Sequence, residues 1–151
     1  MTKIDLSLRI NGRDIDVSVP EDATLLEVLR EELRLNGSRF GCGQEKCGAC
    51  MVLLDGAPTF SCAREAATVA NRDIETIESL DRNDPLFTSL IEHQAAQCAF
   101  CLPGIVMSAK ALLRRNPHPE RAEVLSALEP HLCRCGAHQR IVTAIMSAGT
   151  P

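Results

Sequence analysis

The chain has 151 residues and a formal net charge of −4, with 16 Lys and Arg scattered among 20 Asp and Glu. No basic run is present to track a phosphate backbone, which excludes nucleic acid as an expected partner. Hydrophobic residues make up 45% of the chain, but there is no Trp or Tyr and only four Phe, so any core must be mainly aliphatic. No apolar run approaches the roughly 20 residues needed to span a bilayer. The opening MTKIDLSLRINGRD lacks the apolar stretch of a secretory signal. The expected location is the cytoplasm, where thiols stay reduced.

In chain order, Ile4, Leu6, Leu8 and Ile10 alternate with polar residues, Asn11-Gly12 is a type I′ turn signal, and Ile15, Val17 and Val19 alternate again. This pattern predicts a β-hairpin. Thr24 and Glu27 form a capping box ahead of an apolar stripe at Leu25, Leu26, Val28, Leu29 and Leu33, which predicts a helix. A second hairpin is expected from Met51–Leu54, the turn at Asp55-Gly56, and a return strand reaching Cys62. Ile74, Thr76 and Ile77 suggest one more strand. Two hairpins, a helix across them and a final strand make a β-grasp unit at residues 1–78.

Beyond that point the periodicity becomes helical. Asp84-Pro85, Pro103 and Pro119 each open an apolar-periodic segment, and residues 137–148 make a fourth. The fold class is therefore α+β, an N-terminal β-grasp domain followed by a C-terminal four-helix bundle at residues 79–151.

Eight cysteines fall into two sets of four. Cys42, Cys47, Cys50 and Cys62 read C-x4-C-x2-C-x11-C, and their first three members match the plant-type ferredoxin spacing that holds a [2Fe–2S] cluster. Gly41, Gly43 and Gly48 let such a loop wrap tightly, with backbone N–H groups near sulfur. Structural zinc also takes four thiolates, and disulfides are a further reading that the missing signal sequence disfavours. Cys98, Cys101, Cys133 and Cys135 read C-x2-C-x31-C-x-C and lie just before two predicted helices. Helix N-termini favour an anionic cluster. This spacing also leaves zinc open. His138 follows Cys135 at C-x2-H, as in half of a Rieske pattern, without a C-x-H partner.

The motifs FGCGQEKCGAC at 40–50, QCAFCLPG at 97–104 and LCRCG at 132–136, in this order, resemble the small iron–sulfur subunit of the molybdenum hydroxylases, the xanthine dehydrogenase and aldehyde oxidoreductase family. The resemblance covers essentially the whole chain. It implies a ferredoxin-like β-grasp domain and a helical-bundle domain, each with one [2Fe–2S] cluster. It also implies a large partner subunit holding molybdopterin, in its cytosine dinucleotide form. Electrons would leave molybdenum, pass the Cys98/Cys101/Cys133/Cys135 site, then the Cys42/Cys47/Cys50/Cys62 site, and reach a flavin subunit or a cytochrome. Gln97 and Cys135 would approach the partner's pterin. The complex would hydroxylate an N-heteroaromatic ring or oxidise an aldehyde, with no substrate chemistry on this chain. The family's usual Thr-Gly-Tyr after C-R-C is replaced by Gly136-Ala137-His138, similar to a bacterial subset that includes nicotinate dehydrogenase and isoquinoline oxidoreductase small subunits. Some members of that subset use a cytochrome, so the departure bears on the acceptor and not on the clusters.

The alternatives are a free-standing ferredoxin-type carrier, for which the second half would be superfluous, and a zinc-stapled binding module. Of the remaining residues, His93, His118 and His131 read as surface or capping residues, and His138 as a helix first-turn residue. Ile105, Met107, Leu112 and Leu113 read as bundle core. Arg134 reads either as a screen for cluster charge or as a surface contact, and Arg114-Arg115 as a solvated helix end.

Overall fold

The computed structural model describes residues 2–149. Strands β1 (Lys3–Ile10) and β2 (Arg13–Pro20) pair antiparallel around a turn in which Asn11 and Gly12 both have positive φ, 51° and 77°. That is the type I′ geometry whose twist matches the flanking strands. Alternation sends Leu8, Ile10 and Val19 inward, where they are almost wholly buried. The Asn11 side chain then ties the turn to the far end of the domain. Its Nδ2 donates to Thr76 Oγ1 at 2.9 Å, and its Oδ1 accepts from the Thr76 N–H at 2.8 Å.

The capping box forms as expected. The Thr24 N–H donates to Glu27 Oε2 at 2.8 Å, and the Glu27 N–H donates to Thr24 Oγ1 at 3.3 Å. The backbone is α-helical only over Leu25–Glu27 (α1) and continues as a π-helix over Val28–Glu32. Over so few residues, an apolar stripe cannot tell one winding from the other, because the angular difference has not accumulated. Leu25, Leu26, Val28 and Leu29 are buried against the sheet.

Strands β3 (Met51–Leu54) and β4 (Ala57–Phe60) form the second hairpin, and β5 (Asp73–Glu75) runs parallel to β1 and antiparallel to β3. The sheet order β2-β1-β5-β3-β4 is that of a β-grasp. β4 stops at Phe60, short of Cys62, and Ile77 begins a 3-10 turn instead of extending β5. All four β3 residues are buried, which requires cover on both faces. Val52 and Leu54 join the core under α1, while helix α3 packs over the strand.

The helical half contains α2 (Pro85–Glu92), α3 (Leu102–Arg115), α4 (Arg121–Leu128) and α5 (His138–Ala148). Its core is built from Leu86, Ile105, Leu112, Val124, Ile141 and Ile145, among others. α4 starts two residues later than its proline suggests, because Glu120 and Glu123 form a capping box there. Arg114 is not a merely solvated helix end. Its Nη1 donates to both Glu75 carboxylate oxygens at 2.8 and 2.9 Å, joining α3 to β5. Among the described residues, no helix is long and apolar enough to cross a membrane.

The two halves are in tight contact where Gly104, in the first turn of α3, lies on the carbonyl of Gly48. A Cβ at Gly104 would stand 2.0 Å from that oxygen. Gly104→Ala is therefore expected to destabilise the chain by roughly 1–3 kcal/mol through overpacking, read as a fall in thermal midpoint. Ala substitution at exposed Ser126 on α4 serves as the control.

Two candidate cluster sites

The first cysteine loop is shaped by its backbone. Gly43, Glu45 and Gly48 all have positive φ, and the coil they produce turns amides toward sulfur. Cys42 Sγ accepts from the N–H groups of Gln44 at 3.3 Å and Lys46 at 3.2 Å, and Cys47 Sγ accepts from the Cys42 N–H at 3.3 Å. Gly41 is needed for a different reason: a Cβ there would come within 2.6 Å of Cys47 Sγ. The Gln44 and Lys46 amides bring the Cys42 thiol down to about 7 from its ordinary value near 9.0. Cys50 and Cys62 lie deeper, packed with Leu26, and burial pushes Cys62 up to about 11.

The second set sits where two helices begin. Cys101 is the N-cap of α3, and Cys133 and Cys135 precede α5. Ala99, between Cys98 and Cys101, is left-handed at φ 58° without being glycine. The Phe100 N–H and the Cys135 thiol lower Cys98. Burial pushes Cys101 up to about 12. At Cys133 burial acts upward, but the N–H groups of Ala137, Cys135 and Gly136 and the Cys101 thiol together bring it down.

Within each set the thiols shift one another's ionisation two by two. Cys42 pairs with Cys47 and Cys50 with Cys62; Cys98 pairs with Cys135 and Cys101 with Cys133. Two thiols per metal, two metals per site, is the donor pattern of a [2Fe–2S] cluster. Four free cysteines per site, two thiols for each of two irons, fit a binuclear iron–sulfur group.

The sites share a wall. Cys42, Cys47 and Cys98 open on one apolar cleft with Phe100, Leu132 and Arg134. The Leu132 N–H donates to the Cys47 carbonyl at 3.0 Å. His131 is not the surface residue that its sequence context suggests. It is 6% exposed, with Nε2 2.7 Å from Ser108 Oγ and its ring against Gly48, where a Cβ would lie 2.3 Å from Nδ1. Burial holds its pKa down at about 4, so the ring is neutral. His93 caps the end of α2, His118 is exposed, and His138 is the exposed first residue of α5.

Gln97 Nε2 donates to the Cys135 carbonyl at 3.1 Å on the exposed edge of the second set, which brings these two residues together. Sequence spacing did not single out Arg39, Ser108 or Gly104. Only Gly104 carried a readable signal, as a glycine inside a helical pattern.

A model described as "2Fe-2S iron-sulfur cluster binding domain" matches residues 8–78, and one described as "[2Fe-2S] binding domain" matches residues 76–146. The chain is 42% identical to one of the chains of nicotinate dehydrogenase from Pseudomonas putida, covering 95% of this chain and 93% of that one. It is 44% identical to the alpha chain of isoquinoline 1-oxidoreductase from Brevundimonas diminuta, over 92% and 93%. The crystal structure of quinoline 2-oxidoreductase from Pseudomonas putida 86 superposes with a TM-score of 0.93 at 36% identity, over 97% of this chain and 93% of that one. The chain belongs to the small iron–sulfur subunits of the molybdenum hydroxylases. It carries two [2Fe–2S] clusters and serves as an electron-transfer subunit in an oxidoreductase complex.

The buried Ser108–His131 bond gives a direct prediction for this small subunit. Ser108→Ala leaves a buried ring nitrogen unpartnered and is expected to cost about 1–3 kcal/mol. Thermal unfolding of the subunit would show it, and the double variant with His131→Phe should recover part of the loss.

Proposed function

We propose that Cys42, Cys47, Cys50 and Cys62 ligate one cluster and Cys98, Cys101, Cys133 and Cys135 the other. The gathering of each set carries this assignment: the Cys42 N–H reaches Cys47 Sγ at 3.3 Å, Cys50 packs with Cys62, and all four cysteines of the second set line one small cavity. Each cluster supplies one-electron storage; the chain's own residues hold the sulfurs, aim N–H groups at them and keep the sites close. The ligand sets correspond to a β-grasp domain at residues 1–78 and a helical domain at 79–151.

The partner in this reading is a large subunit bearing molybdopterin, in its cytosine dinucleotide form. Gln97 and Cys135 face it: their mutual hydrogen bond lies on an exposed edge beside the second site, where a partner can reach it. Electrons come in at that edge and leave from the first site to a flavin subunit or a cytochrome. The relatives' names (nicotinate, isoquinoline, quinoline) support an N-heteroaromatic substrate for the complex, acted on by the large subunit. The reading places the complex in the cytoplasm.

The test is low-temperature EPR of the dithionite-reduced complex, with iron counted per small subunit. About four irons and two distinct paramagnetic signals are expected. Cys101→Ser should remove one signal and about half of the iron, leave the other signal, and abolish reduction of the remaining cluster by substrate. Two irons and one signal in the parent protein would defeat the two-site assignment.

A further inference from the structure

Arg39 belongs to the N-terminal half, yet its side chain serves the second cysteine set. Its backbone N–H donates to the Ala49 carbonyl at 2.9 Å, which anchors it on the first cysteine loop. Its Nη1 donates to the Ala99 carbonyl at 2.9 Å, inside the Cys98–Cys101 turn. Its guanidinium carbon lies 5.3 Å from the centre of the Phe100 ring, a cation–π arrangement. The residue is half-buried. Ala99 is held at φ 58°, a conformation that a non-glycine residue keeps only when its surroundings enforce it. The bond from Arg39 is one such constraint, and it comes from outside the turn. The planar fork, which bonds one way and stacks another, is a geometry that lysine does not reproduce.

We propose that Arg39 is a positioning and tuning residue for the second cluster, acting across the boundary between the two halves. This rests on the ligand assignment above. One-electron reduction adds one negative charge to the cluster. A half-buried cation held on the Ala99 carbonyl, one residue from Cys98, and stacked on Phe100 is screened less than a free surface charge, and it stabilises the reduced form. Arg39 therefore raises the potential of the site that first receives electrons from the large subunit. Arg134 adds positive charge from within the second set itself. Arg39 adds it from the neighbouring electron-transfer site, so the potential of one site depends on the correct folding of the other.

The experiment is an EPR-monitored redox titration of the assembled complex, with the two signals assigned by Cys101→Ser. Arg39→Gln is expected to weaken reduction of the second cluster about tenfold, which for one electron is a fall of about 59 mV, while the first cluster moves by less than a third of that. Arg39→Lys, which keeps the charge, should stay nearer the parent value than Arg39→Gln does. The inference is overturned if Arg39→Gln leaves the second potential unchanged, or if both potentials move equally, which would mark a general effect of net charge. It is also overturned if the variant loses the second signal together with its iron, since Arg39 would then build the loop and not tune it. A parent complex with a single signal and two irons would instead remove the ligand assignment itself, a failure visible before any variant is made.

Discussion

Backbone amides aimed at sulfur are the interaction on which the rest of this molecule depends. Four thiolates gathered in one place are a concentrated negative charge, and each reduction adds to it. Water reaches the outer thiols only in part and the buried Cys50, Cys62 and Cys101 hardly at all, so the chain must supply much of the compensation. In the first site the amides of Gln44 and Lys46 supply it to Cys42, which requires a loop that coils through left-handed residues. In the second site it comes from the Phe100 amide at Cys98 and from the Cys135, Gly136 and Ala137 amides at Cys133, in the turns that lead into α3 and α5. A glycine-rich loop in one half and the turns ahead of two helices in the other meet the same electrostatic demand.

Two such sites are useful to each other only if they are close, and closeness is built into the contact between the halves. The Cys47–Gly48 segment is held from three sides. Leu132 bonds to the Cys47 carbonyl, Gly104 lies on the Gly48 carbonyl, and the His131 ring covers the Gly48 Cα. Any side chain at position 48 or 104 would push the cysteine loops apart. A histidine fills the gap without bringing charge, because burial keeps it neutral and Ser108 meets its Nε2. The Arg114–Glu75 pair closes the same junction farther along α3, half-exposed and so worth little by itself.

Sequence alone revealed the parts of this structure governed by local rules. Alternation with Asn11-Gly12, the Thr24–Glu27 box and the prolines in the first turns of α2 and α3 each act within a few residues; the hairpin, α2 and α3 formed where they pointed, while the box opened a helix that is α only over Leu25–Glu27 and π beyond. The cysteine spacings sorted the thiols into two groups, the first on one local loop plus Cys62, the second on two short motifs that only the fold brings together. What stayed hidden depends on partners distant in sequence. His131 looked like a surface residue because nothing near it predicts Ser108 on α3 or the close approach of Gly48. Arg114 looked solvated because Glu75 lies on a strand of the other half. Arg39 looked like one more scattered charge until the fold brought Ala99 and Phe100 beneath it.

The way the motifs divide between thiol pairs gives the two sites different structural roles. In the first site Cys42 and Cys47 form one pair from a single loop, and Cys50 with Cys62 joins that loop to the end of the second hairpin. In the second site both motifs are split. Cys98 and Cys101 go to different pairs, and so do Cys133 and Cys135. In the proposed ligation each iron there ties the start of α3 to the start of α5, so that neither iron can be held by one segment alone. The β-grasp half has a hydrogen-bonded sheet and its own core under α1. The helical half is a small bundle with short α2 and α4, and a core of that size gains most from a staple. In that ligation the second cluster is as much a structural element as a redox one, and electron input from the partner and the integrity of the helical half rest on the same four proposed ligands.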